Sequence, residues 1–167
     1  MLAHRAEAAV IDMHSEFQHH IEALHPALEA LLQCEPFAFA KLPKQLPQAG
    51  VYLFSEKGLH LYAGRTNGLR KRLQQHCRDS STHNSAPFAF RLARVQCNVL
   101  KATYKAQGSR AHLSKDETFS RAFLSAKSRV KTMEIRVVEE AVPMRQALLE
   151  MYVAVSLGTA YNNFDNH

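Results

Sequence analysis

Two short runs of aliphatic and aromatic residues, joined by a turn, constrain the fold of this chain more than any other feature. They are GVYLF at residues 50–54 and LHLYAG at residues 59–64, and the four residues 55–58 between them end in glycine. Runs of this composition on either side of a short glycine-containing turn predict a β-hairpin. Helical periodicity precedes and follows the hairpin, so we expect an α+β fold.

The N-terminal segment has the apolar spacing of an amphipathic helix. Pro26 is expected to kink or restart this helix. The apolar positions that recur at helical spacing are Ile11, Phe17, Ile21, Leu24, Leu28 and Leu31. A loop rich in proline and glycine follows at residues 41–50. We therefore divide the chain into an N-terminal helical extension, residues 1–45, and a second domain, residues 46–167.

Two helices are predicted directly after the hairpin. The first follows Asn67, which is a suitable N-cap, and the second begins at Pro87, where Asn84 or Ser85 can supply the cap. The polar stretch at residues 105–114 is expected to form a loop.

The last third of the chain predicts helix, strand and helix. Ser114 and Glu117 have the spacing of a capping box, so a helix should cover residues 115–130. Residues 133–140 alternate like a strand. Pro143 then opens a final helix that should stop near Gly158.

Charge is concentrated in the middle of the chain. Residues 65–131 contain fifteen lysines and arginines against three acidic residues, a net charge of +12, while each flanking segment has a net charge of −3. Such a segment repels itself unless a polyanion covers it, and nucleic acid is the usual candidate. An acidic membrane surface and a merely solvated basic face are the alternatives.

The sequence contains no run of apolar residues long enough for a membrane span, and we expect neither a signal peptide nor a membrane anchor. A cytoplasmic protein is the expectation. Cys34, Cys77 and Cys97 include no CxxC pair, which argues against a disulfide framework and a structural zinc site.

The hairpin and the residues after it resemble the opening of a GIY-YIG nuclease domain. GVY at residues 50–52 corresponds to the first tripeptide and YAG at residues 62–64 to the second. At the expected spacing, Arg72 and His76 match the family's arginine and helix histidine. Glu150 matches its metal-binding glutamate, and Asn162 the asparagine that closes the domain. The resemblance extends over about residues 50–163, and it is weaker over residues 78–131, a basic helical insertion.

This resemblance implies a three-stranded antiparallel β-sheet flanked by helices and a metal-dependent endonuclease that hydrolyses phosphodiester bonds in DNA. Mg²⁺ or Mn²⁺ would be the cofactor, with Glu150 as its ligand. Site or structure selectivity is expected, and both single-stranded and double-stranded DNA remain open as substrates. The implied catalytic residues are Tyr52, Tyr62, Arg72, His76, Glu150 and Asn162.

Each implied role has a physical reason. Arg72 can hold the scissile phosphate through its guanidinium fork. One tyrosine hydroxyl, with Tyr52 preferred, would act as general base or orient the attacking water. His76 would orient the tyrosine or bind phosphate. Asn162 would contact the sheet or the surroundings of the metal.

Further basic residues are expected to bind the nucleic acid. Arg65 and Lys71 should border the cleft, and Arg91 and Arg94 should grip phosphates farther out. A catalytically silent nucleic-acid-binding module with the same fold is the alternative function. The N-terminal helix either packs on the core or pairs with a second copy as a homodimer.

Overall fold

A computed structural model of the protein describes residues 14–99, 108–162 and 164. Ile11 in the predicted first helix, residues 100–107 of the predicted insertion and Asn163 at the end of the family resemblance lie outside the described residues.

Helices and strands follow the predicted order. They are α1 (Ser15–Glu22), α2 (Leu24–Gln33), β1 (Gly50–Glu56), β2 (Leu59–Thr66), α3 (Leu69–Cys77), α4 (Pro87–Gln96), α5 (Arg110–Leu113), α6 (Glu117–Thr132), β3 (Glu134–Glu139) and α7 (Pro143–Leu157).

The three strands form one antiparallel sheet with the order β2-β1-β3. The predicted hairpin is confirmed, and each of its strands is two residues longer than predicted. The strand β1 lies in the centre, where Tyr52 is opposite Gly64 on β2 and opposite Val137 on β3. The α+β class with a three-stranded antiparallel sheet flanked by helices is therefore confirmed.

Successive side chains of β1 enter two different cores, because they point to opposite faces of the sheet. Tyr52 and Phe54 pack into the core that α3, α4 and α6 cover. Val51 and Leu53 pack into the core that α2 and α7 cover. The sheet is thus the middle layer of the molecule.

The basic insertion contributes its own aromatic side chains to the first core. Phe88 and Phe90 of α4 and Phe119 of α6 are at most 2% exposed. Burial of side chains of this size is among the largest favourable contributions to folding. The insertion is therefore an integral layer of the fold.

The N-terminal helices cover the opposite face. The break predicted around Pro26 lies at Ala23, between α1 and α2. Proline clashes with the carbonyl four residues earlier, which is that of Glu22, the last residue of α1. Buried leucines of α2 share a core with the sheet residues 51 and 53, so this core extends across the predicted boundary at residues 45 and 46.

Three predicted helix caps are wrong. The first is Asn67, because Gly68 occupies the N-cap of α3 and the Asn67 Oδ1 atom instead accepts from Gln146 Nε2 at 2.9 Å. The second is the pair Asn84 and Ser85, because Ala86 occupies the N-cap of α4 and no side chain caps it.

The third wrong cap is Ser114. Asp116 caps α6 with its own side chain, whose Oδ1 accepts from Phe119 N at 2.7 Å, so this helix begins two residues later than predicted. Part of the stretch predicted as a loop, residues 105–114, forms the one-turn helix α5, which Ser109 caps. The end of α7 is as predicted, since Gly158 adopts the left-handed conformation that stops a helix.

Short segments bond to both outer edges of the sheet. Phe37 exchanges two backbone hydrogen bonds with Ile135 of β3, at 3.0 and 2.8 Å. After α7 the chain returns to β2, where Tyr161 N donates to Leu61 O at 3.0 Å. The side chain of Asn162 continues this pairing two residues farther along β2, at Ala63.

Candidate active site

The hydroxyl of Tyr52 is the centre of a buried polar network. Its oxygen lies 2.9 Å from His76 Nε2 and accepts from Arg72 Nε at 3.2 Å. Both Tyr52 and His76 are fully buried, whereas Arg72 is half-buried. The three residues predicted from the two motifs on β1 and α3 therefore meet in one place.

Local structure explains why they meet. Arg72 and His76 are four residues apart on α3, so their side chains share one face of that helix. Opposite them, Tyr52 lies over Gly64, the last residue of the second tripeptide. A Cβ atom at Gly64 would lie 2.3 Å from the Tyr52 hydroxyl, so the close approach requires glycine.

His76 is neutral in the folded protein, since burial and then the nearby charge of Arg72 lower its pKa to about 3. Its Nδ1 atom is buried and has no hydrogen-bond partner among the described residues. A buried N–H without an acceptor is costlier than an unused lone pair. We therefore place the proton on Nε2, from which it is donated to the Tyr52 hydroxyl.

Tyr62 borders the same network from β2. Burial raises the pKa of both tyrosines. The nearby phenol of Tyr62 raises the pKa of Tyr52 further, whereas hydrogen bonding to Tyr52 opposes the rise at Tyr62, and both remain neutral at physiological pH. Tyr62 is 8% exposed and Tyr52 is completely enclosed. The ring of Tyr62 stacks on Phe88 of the insertion, with centroids 4.7 Å apart. Of the two hydroxyls, only that of Tyr62 belongs to a residue that reaches the surface.

Arg72 is held by acceptors on three sides. Besides Tyr52, its Nη1 atom donates to Ser85 O at 3.2 Å and to Gln75 Oε1 at 3.4 Å. Its Nη2 atom donates to none of the described residues. A guanidinium fixed in this way with one nitrogen left over is suited to bind an oxyanion.

Glu150 lies on α7, the helix that packs with α2 on the other face of the sheet. Its side chain is 24% exposed, and its Oε2 atom accepts from Arg65 Nε at 3.1 Å. Burial raises the pKa of this carboxyl, while Arg65, Arg72 and Arg91 oppose that shift. One carboxylate thus stands among three arginines.

The residues around Glu150 fit a divalent ion that keeps most of its water. No group of three or more His, Cys, Asp or Glu side chains that could hold a metal occurs in the part of the chain that the structure describes. Mg²⁺ is commonly held by one or two carboxylates together with substrate phosphates. Desolvation makes a bound cation favourable at Glu150, and the partially exposed carboxylate leaves room for water.

Asn162 uses both ends of its side chain on the backbone of Ala63. Its Oδ1 atom accepts from Ala63 N at 2.8 Å, and its Nδ2 atom donates to Ala63 O at 2.9 Å. Thr159 Oγ1 also donates to Oδ1, at 2.9 Å. These contacts fix the strand between Tyr62 and Gly64, so Asn162 is placed as a positioning residue.

The four predicted nucleic-acid-binding residues occupy different places. Arg65 pairs with Glu150, and Lys71 is exposed on α3. Arg91 lies nearer to the site than expected, since its charge affects the pKa of both Tyr62 and Glu150. Arg94 donates to Val99 O at 2.8 Å, at the end of its own helix.

Sequence reasoning missed Arg110, the first residue of α5. Arg110 donates to the carbonyl of His83, and its guanidinium lies 4.5 Å from the centroid of the Phe90 ring. Burial and the charges of Arg91 and Arg94 lower its pKa. Only its place in the basic segment marks it in the sequence, since no motif spacing includes it.

Comparison with protein-family models, curated proteins and solved structures finds no match to this chain. Among the described residues, no helix has the length and apolar character needed to cross a membrane.

Proposed function

We propose that this protein is a metal-dependent DNA endonuclease of the GIY-YIG type, acting in the cytoplasm. The observation that carries this proposal is the buried network of Tyr52, Arg72 and His76, with Tyr62 and the carboxylate of Glu150 near enough for their charges to affect the pKa of Tyr52. Phosphodiester hydrolysis needs an oriented water, in-line geometry and positive charge near the phosphate oxygens. Residues at this site can meet each of these needs.

Arg72 binds the scissile phosphate. The Nη2 atom faces no described acceptor, and the other guanidinium contacts hold the group in place before substrate arrives. Such preorganised donors stabilise the charge that develops in the transition state without reorganising during the reaction. Arg91 adds a second positive charge close to Glu150.

Tyr62 orients the attacking water, and Tyr52 positions Tyr62. This assignment differs from the preference for Tyr52 as general base, because the enclosed Tyr52 hydroxyl is out of reach of solvent. His76 and Arg72 both donate to the Tyr52 oxygen and thereby fix the orientation of this neutral hydroxyl. With its oxygen accepting from these two groups, the Tyr52 hydroxyl can donate its own proton to the Tyr62 oxygen, which holds Tyr62 in place to orient the water without a proton transfer between the tyrosines.

Glu150 would hold Mg²⁺ or Mn²⁺. When bound, the ion supplies Lewis-acid stabilisation of the phosphate and of the departing 3′ oxygen. Arg65 pairs with this carboxylate in the free protein, so the ion would compete with the guanidinium for the carboxylate, and a DNA phosphate would compete with the carboxylate for the guanidinium.

The same ion pair favours a second candidate function, a silent nucleic-acid-binding module. A carboxylate kept by Arg65 would bind no metal, and two neutral tyrosines would provide no base. The basic insertion would then bind DNA without cutting it.

Cleavage of labelled DNA distinguishes these functions. Purified protein is incubated with single-stranded and with duplex DNA in Mg²⁺, Mn²⁺ or EDTA, alongside Glu150→Gln and the control Glu139→Gln, an exposed carboxylate on β3. We expect metal-dependent cutting that Glu150→Gln abolishes and Glu139→Gln retains, with DNA binding intact in both. Salt-sensitive binding without cutting in any metal would establish the silent module instead.

A further inference from the structure

A cavity of about 290 Å³ lies in the insertion, outside the site described above. Its apolar lining is aromatic, from Phe90, Phe119 and Phe123. Its polar lining consists of Thr82, His83, Ser114 and Ser120. A space of this size is at the lower end of small-molecule pockets, and an aromatic lining with a few convergent polar groups is typical of them.

We infer that this cavity binds one unpaired nucleobase of the DNA strand whose backbone lies in the active-site cleft, an inference that rests on the proposed function. A planar heterocycle fits beside the rings of His83 and Phe123, and the hydroxyls can meet its polar edge. Bases enter such pockets only when unpaired, because a duplex keeps them stacked. The substrate is accordingly single-stranded DNA.

One short loop, residues 82–85, connects the cavity to the active site. Arg72 donates to the carbonyl of Ser85, and Ser85 N donates to Thr82 O at 3.1 Å. Thr82 and His83 line the cavity. The cavity-lining residue His83 is only two positions before Ser85, whose carbonyl contacts Arg72, so a phosphate at Arg72 and a base in the cavity can belong to neighbouring nucleotides.

A group of arginines connects the two places. Arg91, Arg94 and Arg110 influence one another electrostatically, and the pKa of both Arg94 and Arg110 is lowered by burial and by neighbouring arginines. None of the three forms an ion pair with a carboxylate among the described residues. A backbone phosphate beside them would relieve this repulsion. Arg110, which donates to the carbonyl of His83, would guide the strand toward the cavity.

The polar groups of the cavity retain acceptor capacity. Ser120 Oγ donates to Ser114 O at 3.0 Å, and Ser114 Oγ donates to Ala111 O at 2.9 Å. Both hydroxyl oxygens can still accept from an exocyclic amine of a base. The ring nitrogens of His83 form no hydrogen bond with the described residues. The cavity thus combines hydroxyl acceptors from Ser114 and Ser120 with an apolar lining of phenylalanine rings.

Abasic substitution tests the inference. After the cut is mapped on single-stranded DNA, each nucleotide near it is replaced in turn by an abasic deoxyribose, and kcat/KM is measured for the wild type, His83→Ala and Ser120→Leu. We expect one position at which base removal lowers wild-type kcat/KM roughly ten- to hundredfold, the range expected for loss of one stacked base. His83→Ala empties part of the cavity and Ser120→Leu fills it, so neither variant should distinguish intact from abasic strands there.

Ser125→Ala is the matched control, an exposed serine on the same helix as Ser120. It should keep the full wild-type preference for the base. Thermal unfolding checks that each variant is folded. Because His83→Ala enlarges the cavity and Ser120→Leu fills it, a shared loss of the preference cannot come from a folding defect in one variant alone. Retention of the preference in both cavity variants, or its absence from the wild type, would overturn the inference.

Binding separates this inference from the proposed nuclease. Fluorescence anisotropy in EDTA compares homopolymers of thymidine, deoxyadenosine and abasic deoxyribose. Tighter binding of a base-containing strand that is lost in both variants supports the cavity even if no DNA is cut. Cutting without any preference for the base supports the nuclease and refutes the cavity. A preference found only with duplex DNA identifies a flipped base and overturns the single-strand assignment.

Discussion

Gly64 and Tyr52 face each other across β2 and β1 so closely that a methyl group at Gly64 would lie 2.3 Å from the tyrosine oxygen and 2.4 Å from its Cζ atom. The phenol of Tyr52, in the first tripeptide, therefore packs directly against Gly64, in the second tripeptide. The position and the hydrogen bonds of the Tyr52 hydroxyl depend on the absence of a Cβ atom at Gly64.

Gly64→Ala should therefore displace Tyr52 from His76 and Arg72. Overpacking in a core typically costs about 1–3 kcal/mol, so we expect the free energy of unfolding in urea to fall by that amount and cleavage to fall with it. Gly68→Ala is the control, because a Cβ atom there would lie 4.0 Å from Lys71 Cβ, an ordinary van der Waals distance. Equal stability of the two variants would contradict the close packing.

Folding should weaken in mild acid because of His76. The pKa of His76 is about 3 in the folded protein and has the ordinary value of 6.5 in the unfolded chain. Below pH 6.5 the unfolded chain therefore binds a proton that the folded chain does not. The stability from this group is fully present above pH 6.5 and is lost as the pH falls toward 3, by about 1.4 kcal/mol per pH unit. Urea unfolding between pH 7 and pH 5 measures this slope. His76→Gln should flatten it, and parallel curves would show that folding does not shift the pKa of His76.

Loss of the arginine partner should free the carboxylate for a metal ion. In Arg65→Gln we expect Mn²⁺ affinity for Glu150 to rise up to about fivefold, since a partially exposed ion pair contributes at most about 1 kcal/mol. The same change should weaken DNA binding and reduce its salt slope by about one. Calorimetry and anisotropy at several salt concentrations measure the two effects. Unchanged Mn²⁺ binding would place the metal elsewhere, and Arg121→Gln, an exposed arginine on α6, controls for overall charge.

Arg72→Ala should lower kcat far more than it lowers DNA binding. Loss of one preorganised donor to a developing charge costs roughly a hundred- to a thousandfold in rate. Arg72→Lys should restore little, since an ammonium cannot keep the contacts with Tyr52, Gln75 and Ser85 at once. Single-turnover cleavage beside Arg121→Ala measures this. A near-normal rate would move the catalytic arginine to another position.

Asn162→Ala should act on the edge of the sheet. It leaves the N–H and the carbonyl of Ala63 without their partners, at a cost of about 1–3 kcal/mol for a desolvated backbone group. Hydrogen exchange at Ala63 should accelerate. Asn162→Asp, which keeps the acceptor for Ala63 N, should slow that exchange again, and identical exchange in all three proteins would show that the contact contributes nothing.

The sequence predicted the elements better than their ends. Alternation and helical period depend on which face is buried, and the burial of Val51 and Leu53 opposite Tyr52 and Phe54 follows that pattern. Whether a residue caps a helix depends on whether its side chain has a competing hydrogen-bond partner elsewhere in the fold. Asn67 is a good cap by residue type, but its amide oxygen accepts from Gln146, which is 79 residues away in the chain. No local pattern contains such a competitor.

The candidate site shows the same division. The meeting of Tyr52, Arg72 and His76 was predictable, because a hairpin followed by a helix brings these positions together over a short stretch of chain. The roles of Glu150 and Arg110 depend on distant segments. Nothing near Glu150 in the chain indicates Arg65, and nothing near Arg110 indicates Phe90.

Both sheet edges are already bonded, at Ile135 by Phe37 and at residues 61 and 63 by the segment after α7. Open edges are where sheets recruit strands from other molecules and begin to aggregate. An incoming strand that paired along the full length of either edge would have to displace Phe37 or the segment that contains Asn162. These contacts disfavour amyloid-like pairing of the sheet edges, whereas the exposed apolar side chains of Phe17 and Ile21 lie on the helix α1.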